Sequence, residues 1–309
     1  MPHATCFDIA GLGVCTLDLL MRVPEFPAGE SVQRSSSTRL QGGGPVATAL
    51  AAAARLGAKT AMLDRQGDDW IGERIRSELT SFGVDTTSCH RQSGASSALA
   101  SVWVRECDGA RCISYEPGTV SPMQAEHLPA GVIESARVLH SNGRHEAAWF
   151  TAAKRARDAG VAVSFDGGAH RFRPETREFL PWIDIAIVSL DWAARCSGSE
   201  DPEKAARAVK DFGPELVVVT AGLRGSWILS DSAQFHQPAF AVPDTIDTTG
   251  CGDVYHGAFL TGWTWAWPLD RCAKVASAAA AMNSRALGGR GALPTLVQVE
   301  EFLLAHPTS

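Results

Sequence analysis

One stretch of the chain joins acid, hydroxyl and glycine at a spacing that suits chemistry on a phosphate. In Asp-Thr-Thr-Gly-Cys-Gly-Asp (247–253), Gly250, Cys251 and Gly252 precede an apolar run that predicts a helix over 254–263. A helix start offers unpaired N–H groups and the positive end of its dipole, and glycines let an anion's oxygen approach those donors. Asp253 would stand beside the anion. A carboxylate there repels phosphate, so its use would be to take a proton from an attacking hydroxyl. A first-turn acid also serves as a plain cap worth about 1 kcal/mol, and read alone the stretch fits that role too.

Three other glycine clusters carry weaker signals. Gly11-Leu-Gly13 follows a strand, as in dinucleotide-binding turns, but Thr16 stands at the third glycine position and a Pro- and Ser-rich stretch replaces the required helix. Asp18, just past that strand, lies where ligands bind in parallel sheets, outside the strands' carboxyl ends. Gly42-Gly43-Gly44-Pro45 opens an Ala-rich helix and suits either close approach to a ligand or a tight turn. Thr220-Ala-Gly222-Leu-Arg-Gly225 follows a buried strand and could admit nucleotide phosphates, though glycine turns end many strands. His236 and His256 lack metal-ligand spacing, and the Trp263–Trp267 cluster reads as core or interface, with adenine stacking as the lesser option. Cys251, at a helix start, is expected to have a lowered pKa.

The elements that must position these residues alternate. Short apolar runs at 137–142, 161–166, 184–189 and 216–222 read as buried parallel strands, with helices at 145–160 and 201–213 between them. Earlier come a strand from 7, helices at 46–58 and 68–83, and a strand at 59–67; Ala-rich helices fill 254–287. This predicts a three-layer α/β fold around a doubly wound, mostly parallel sheet. Two stretches break the alternation: 24–41 is polar and partly alternating, and 95–118 reads as two strands joined at Asp108-Gly109. The expected division is a main α/β domain of 1–14, 42–94 and 119–309, and a small β-sheet lid of 15–41 and 95–118. The lid could also pair with a second copy across a two-fold axis.

Composition narrows the class. The 309 residues are 45% hydrophobic and 20% charged, with a net charge of −6, ordinary for a globular protein and contrary to wholesale nucleic-acid binding. The first residues lack a signal-peptide pattern, no apolar run is long enough to span a bilayer, and the eight cysteines contain no Cys-x-x-Cys pair. A cytoplasmic protein with free thiols and no membrane partner is expected.

At these motifs the chain resembles the PfkB, or ribokinase-like, carbohydrate kinases. DTTGCGDVYHGAF (247–259) matches that family's C-terminal signature except for Cys251 in place of Ala, and GGGPVATALAAAARLGAKTAMLDRQGDDWIGERI (42–75) resembles its N-terminal one. The resemblance covers essentially the whole chain. It implies transfer of the ATP γ-phosphoryl group to a hydroxyl of a small sugar, with Asp253 as base and Gly250, Cys251 and Gly252 as the anion hole. Asp18, Gly42, Gly43 and Gly44 would line the sugar site, and Thr220, Gly222, Gly225 and Asn283 would lie along the nucleotide. Asp247 and Thr249, with carbonyls near 284–291, would form a monovalent-cation loop, K+ being the candidate ion, and Mg2+ would accompany ATP.

The chain departs from the family pattern twice. Ala47 replaces an Asn that bonds sugar hydroxyls, and Ser189-Leu-Asp-Trp192 replaces the Asn-x-x-Glu tied to magnesium, leaving Asp191 as a candidate acid. GGGPVATA, HQPAFAVPDTIDTTG and GGRGALP look most like the branch that phosphorylates 6-deoxy-6-sulfofructose; Arg144, Arg34 and Arg39 could face a sulfonate, but that branch's lid Lys has no counterpart. Two alternatives remain: a nucleoside kinase of the same fold, with Trp103 and Tyr115 offering a base slot, and a catalytically silent binding protein.

Overall fold

The computed structural model describes residues 5–306. In chain order the elements are β1 (Phe7–Leu12), β2 (Thr16–Val23), β3 (Ser37–Gly43), α1 (Pro45–Leu56), β4 (Thr60–Gly67), α2 (Trp70–Ser81), β5 (Val84–Asp85), β6 (Cys89–Gln92), β7 (Leu99–Arg105) and β8 (Arg111–Glu116). Then follow β9 (Ala136–Ser141), α3 (Glu146–Asp158), β10 (Ala162–Gly167), β11 (Ile185–Ser189), α4 (Leu190–Ser197), α5 (Pro202–Lys210), β12 (Leu216–Thr220), β13 (Ser226–Leu229), β14 (Gln234–Gln237), α6 (Cys251–Thr264), α7 (Leu269–Asn283) and α8 (Leu296–Ala305).

Ten strands form the main sheet, in the order β14-β13-β12-β11-β10-β9-β1-β4-β5, with β6 also paired to β4. The strands from β12 to β5 run parallel, while β13 and β14 add an antiparallel edge. The β-branched runs explain this: neighbouring residues of each strand go to opposite, equally dry faces. Ile9, Val138, Ile185, Ile187 and Val218 pack with α1, α2, α6, α7 and α8. Ala10, Leu139, Ala186, Val188, Val217 and Val219 pack with α3, α4 and α5. From β1 the chain builds outward first through β4 and then through β9, so the strand order reverses beside β1, where such sheets open a crevice at their carboxyl ends.

The second sheet has the order β3-β2-β7-β8. Its outer pairs are antiparallel and its central pair, β2 with β7, is parallel, so the two excursions meet side by side. Residues opposite one another across strands share a face. The rows Asp18–Ala100–Tyr115, Leu20–Val102–Ile113 and Arg22–Val104–Arg111 therefore lie on one face. That face looks toward the body, because Leu20, Ala100, Val102 and Val104 pack with Leu287. Trp103 pairs with Met21 and Cys112 on the outer face.

The expected elements are largely present, with one addition and one correction. The Thr220–Gly225 turn leads into antiparallel β13 and β14, which the sequence reading did not name. α6 begins at Cys251, not 254, so Gly252 and Asp253 belong to its first turn. The Trp263–Trp267 cluster lies at and just beyond the far end of that 14-residue helix, away from the glycine turn, which removes it as an adenine platform.

Candidate active site

α6 starts on Gly250, whose φ of 71° is a left-handed conformation that favours glycine, and no side chain caps the helix. A Cβ at Gly250 would also collide with Gly289. Cys251 donates its N–H to the Thr248 carbonyl at 3.3 Å, so it is partly engaged. Gly252 is exposed, and a Cβ there would meet nothing within 4 Å. The open helix end is thus at Gly252 and Asp253 rather than spread evenly over three residues.

Asp253 is half-buried. Even so, desolvation is the largest influence on its carboxyl and, with the nearby Asp166 charge, pushes its pKa up to about 7 against the pull of Arg171, Arg111 and Arg290. An acid poised near neutrality is what a general base needs. Cys251 goes the other way from expectation: burial and the charges of Asp247 and Asp253 push its thiol up to about 12, outweighing the helix end.

Asp166 is the penultimate residue of β10 and is 3% exposed. Its carboxylate accepts a long hydrogen bond from Arg171 Nη1 at 3.5 Å and lies 3.9 Å from His256 Nε2. Burial holds both His256 and nearby His140 neutral, with pKa values near 3. From the lid, Arg111 donates to Thr248 Oγ1 at 3.3 Å, and Gly109 at the hairpin tip rests against Ile246. The lid thus sets a guanidinium beside the turn that leads into α6. Sequence reasoning missed Asp166, Arg171 and Arg111; the Asp166-Gly-Gly pattern after a buried strand was the available signal.

On β2, Asp18 accepts from Thr16 Oγ1 at 2.7 Å, and burial raises its pKa. Gly43 lies so close that a Cβ would overlap the Asp18 carboxylate. Gly44 has φ 92° and sits against the Val14 carbonyl. Arg144 is exposed in the loop after β9, and its charge is felt by Tyr115 across the cleft. Arg39 lies opposite Leu20 on β3, whereas Arg34 lies in exposed coil. Ala47 is fully buried in α1.

The remaining expected residues divide. Thr220 ends β12 and Gly222 opens onto free space, so both lie on the carboxyl edge of the sheet, while Gly225 packs tightly against Gln237. Asn283 is buried, donates to the Gly289 carbonyl at 3.0 Å and accepts from Ala292 N–H at 3.1 Å, so its side chain braces that loop. Asp247 accepts from Thr249 N–H and Oγ1 and from Gly288 N–H, so its carboxylate shapes the loop. Asp191 is occupied by His170 N–H and Arg195. Trp192 fills core space against Phe165 and Phe172. Among the described residues no group of three or more His, Cys, Asp or Glu is arranged as a metal cluster.

A doubly wound sheet, a β lid and an open helix start with a near-neutral acid define a phosphoryl-transfer enzyme of the ribokinase-like kind. The model of the pfkB family carbohydrate kinases matches residues 7–296, and the chain belongs to that family. It is 26% identical over 295 residues to an ATP-dependent ribose-1-phosphate kinase of Halopiger xanaduensis, covering 96% of this chain and 97% of that one. It is 27% identical over 299 residues to the ribokinase of Haemophilus influenzae, covering 94% and 97%. The structure of Arabidopsis thaliana ribokinase complexed with ribose and ATP superimposes with a TM-score of 0.82 at 22% identity, covering 98% and 99%. The protein is an ATP-dependent carbohydrate kinase.

Proposed function

We propose that this kinase phosphorylates a hydroxyl of a small free sugar or sugar derivative, of the ketohexose or sulfosugar kind, with Asp253 as the general base. The observation that carries the reading is the near-neutral carboxyl of Asp253 in the first turn of an uncapped, solvent-open helix start. The acceptor enters between Asp18, the Gly42–Gly44 loop and Arg144, beneath the inner lid face. Its hydroxyl gives a proton to Asp253 and attacks the γ-phosphoryl group in line. Developing charge is held by the N–H groups of Gly252 and Asp253 and by Arg111 and Arg171. Thr220 and Gly222 border the nucleotide.

ATP arrives as its magnesium complex, and the ion supplies charge neutralisation on the phosphate oxygens. Asp166 fits the ion's shell, because among the described residues this buried carboxylate accepts a single long hydrogen bond, from Arg171 at 3.5 Å, and keeps lone pairs to spare; Asp191, engaged by two donors, is the poorer candidate. We assign K+ to the loop of Asp247, Thr249 and the carbonyls near 284–291, to be tested by replacing KCl with choline chloride.

The nucleoside reading loses one support. Trp103 lies on the outer lid face, so of the two only Tyr115 lies on the inner face. The outer face also presents Leu19 and Leu40 as a cross-strand pair, with Leu40 39% exposed, and we place a homodimer contact there, checked by light scattering. The eight cysteines, none of them in a disulfide among the described residues, fit a reducing, cytoplasmic setting. The deciding assay follows ADP formation with D-fructose, 6-deoxy-6-sulfofructose, D-ribose and adenosine as acceptors. A sugar should give the fastest transfer; adenosine as the best acceptor, or no acceptor at all, would defeat the reading.

A further inference from the structure

We propose that Arg290 is a positioning residue that, with Glu78, locks the acceptor loop to the phosphoryl turn and so sets the distance across which transfer occurs. The inference rests on the acceptor assignment above and goes beyond it, because neither side chain touches substrate in that scheme.

The Arg290 side chain is completely buried. Its Nη2 donates to the Gly43 carbonyl at 2.8 Å, its Nε to Thr48 Oγ1 at 3.2 Å, and its backbone N–H to Gln41 Oε1 at 2.9 Å. Nη1 stands 3.5 Å from Glu78 Oε1 and makes no hydrogen bond of its own. Glu78, on α2, accepts the Gly42 N–H with both oxygens, at 3.0 and 2.9 Å. Three consecutive residues are thus fixed, Gln41 by its side chain, Gly42 by its N–H and Gly43 by its carbonyl. Gly42 must lack a side chain because the Arg290 guanidinium occupies that space.

The other side of the same short loop grips the phosphoryl turn. Gly288 N–H donates to Asp247 Oδ2 at 2.8 Å, and Gly289 packs directly on Gly250, the residue that starts α6. Asn283 holds the Gly289 carbonyl from behind. One loop therefore touches the acceptor glycines and the anion turn at adjacent residues. The Arg290 charge also acts on Asp18 and Asp253 alike, which places it between the two halves.

Stability alone is a poor reason for this pair. A buried ion pair pays heavy desolvation, and a packed apolar pair is often as stable. Its bonds are directional, and two of the three end on the loop that holds the acceptor, at Gln41 and Gly43, while the third ends on Thr48 in the first turn of α1, which suits alignment. Displacement of about 1 Å between reacting groups costs on the order of a hundredfold in rate.

The test compares the wild type with Arg290→Met/Glu78→Gln, which leaves no unpaired buried charge, and with Arg290→Lys, which keeps the charge but loses the fork. Two measurements are made: kinetics with MgATP and the better of D-ribose and D-fructose, and amide hydrogen exchange over 41–44 and 254–264. The double variant should lose roughly a hundredfold in kcat. Its acceptor KM should rise while KM for ATP stays within about threefold, and more ATP should be hydrolysed per acceptor phosphorylated. Exchange over 41–44 should accelerate while 254–264 stays protected, and Arg290→Lys should fall between. The proposal is overturned if the folded variants keep the wild-type acceptor kinetics and hydrolysis ratio, if KM for ATP rises as much as that for acceptor, or if exchange over 41–44 is unchanged. A wild type that phosphorylates neither sugar counts against the acceptor assignment instead, and the exchange comparison still decides the lock.

Discussion

α1 and α6 begin alike and end up doing different things. Each opens on a glycine in the left-handed region, Gly44 at φ 92° and Gly250 at φ 71°, and neither has a side-chain cap. They also pack against each other so closely that Gly257 of α6 leaves no room for a Cβ against the Ala49 carbonyl. Yet the first turn of α1 is sealed: Val46, Ala47 and Thr48 are buried, and Thr48 Oγ1 is bonded to Arg290. The first turn of α6 is open at Gly252 and carries Asp253. A glycine-opened helix start is therefore not yet an anion site. In the proposed scheme, open space at the donors and an acid held near neutrality make the difference, and the sealed copy serves as a wall for the acceptor.

The largest expected effect is at the acid. Asp253→Asn should lower turnover by at least about a hundredfold while ATP and sugar still bind, read by single-turnover transfer and by ligand-induced thermal shifts. Retained turnover would remove the difference between the two helices.

Next come matched glycine substitutions. Gly44→Ala forces a Cβ against the Val14 carbonyl at positive φ and should cost about 1–3 kcal/mol of stability in denaturant unfolding. Gly252→Ala meets no protein atom and should stabilise the helix by up to ~1 kcal/mol. It should nonetheless cut kcat about tenfold or more, because its methyl enters the space for the transferring group. If both variants lost stability and kept kcat, the open and sealed ends would not differ as described.

A smaller effect is expected at Asp166. Its charge raises the Asp253 pKa, so Asp166→Asn should move the acidic limb of kcat/KM to lower pH, whatever it does to the maximum rate. The smallest is at Cys251, whose thiol, at about 12, is protonated at neutral pH. Cys251→Ala should change kcat less than about threefold and leave the pH profile in place, since no charged form is lost.

The glycine-opened start of α6 was legible in the sequence because backbone geometry carries it, and backbone geometry writes itself as contiguous glycine and acid at 247–253. The buried parallel strands were legible for a similar reason, as β-branched runs dry on both faces. The β13–β14 edge was not, because a Thr-x-Gly-x-x-Gly turn looks the same before a strand as before a helix. The cationic surroundings of Asp253 were also hidden. Arg111, Arg171 and Arg290 come from a lid hairpin, a loop after β10 and a loop after α7, and no local spacing joins them. For Cys251 the dipole argument named a real influence but missed that burial and two nearby acids outweigh it.

The most direct measurement is the pH dependence of kcat/KM for wild-type enzyme with a saturating second substrate. Because Asp253 must be unprotonated to accept the acceptor's proton and its pKa lies near 7, activity should fall about tenfold per pH unit below that value and level off above it. A profile that stays flat down to pH 5, or an acidic limb of the same position in Asp253→Asn, would contradict the assignment of this carboxylate as the base.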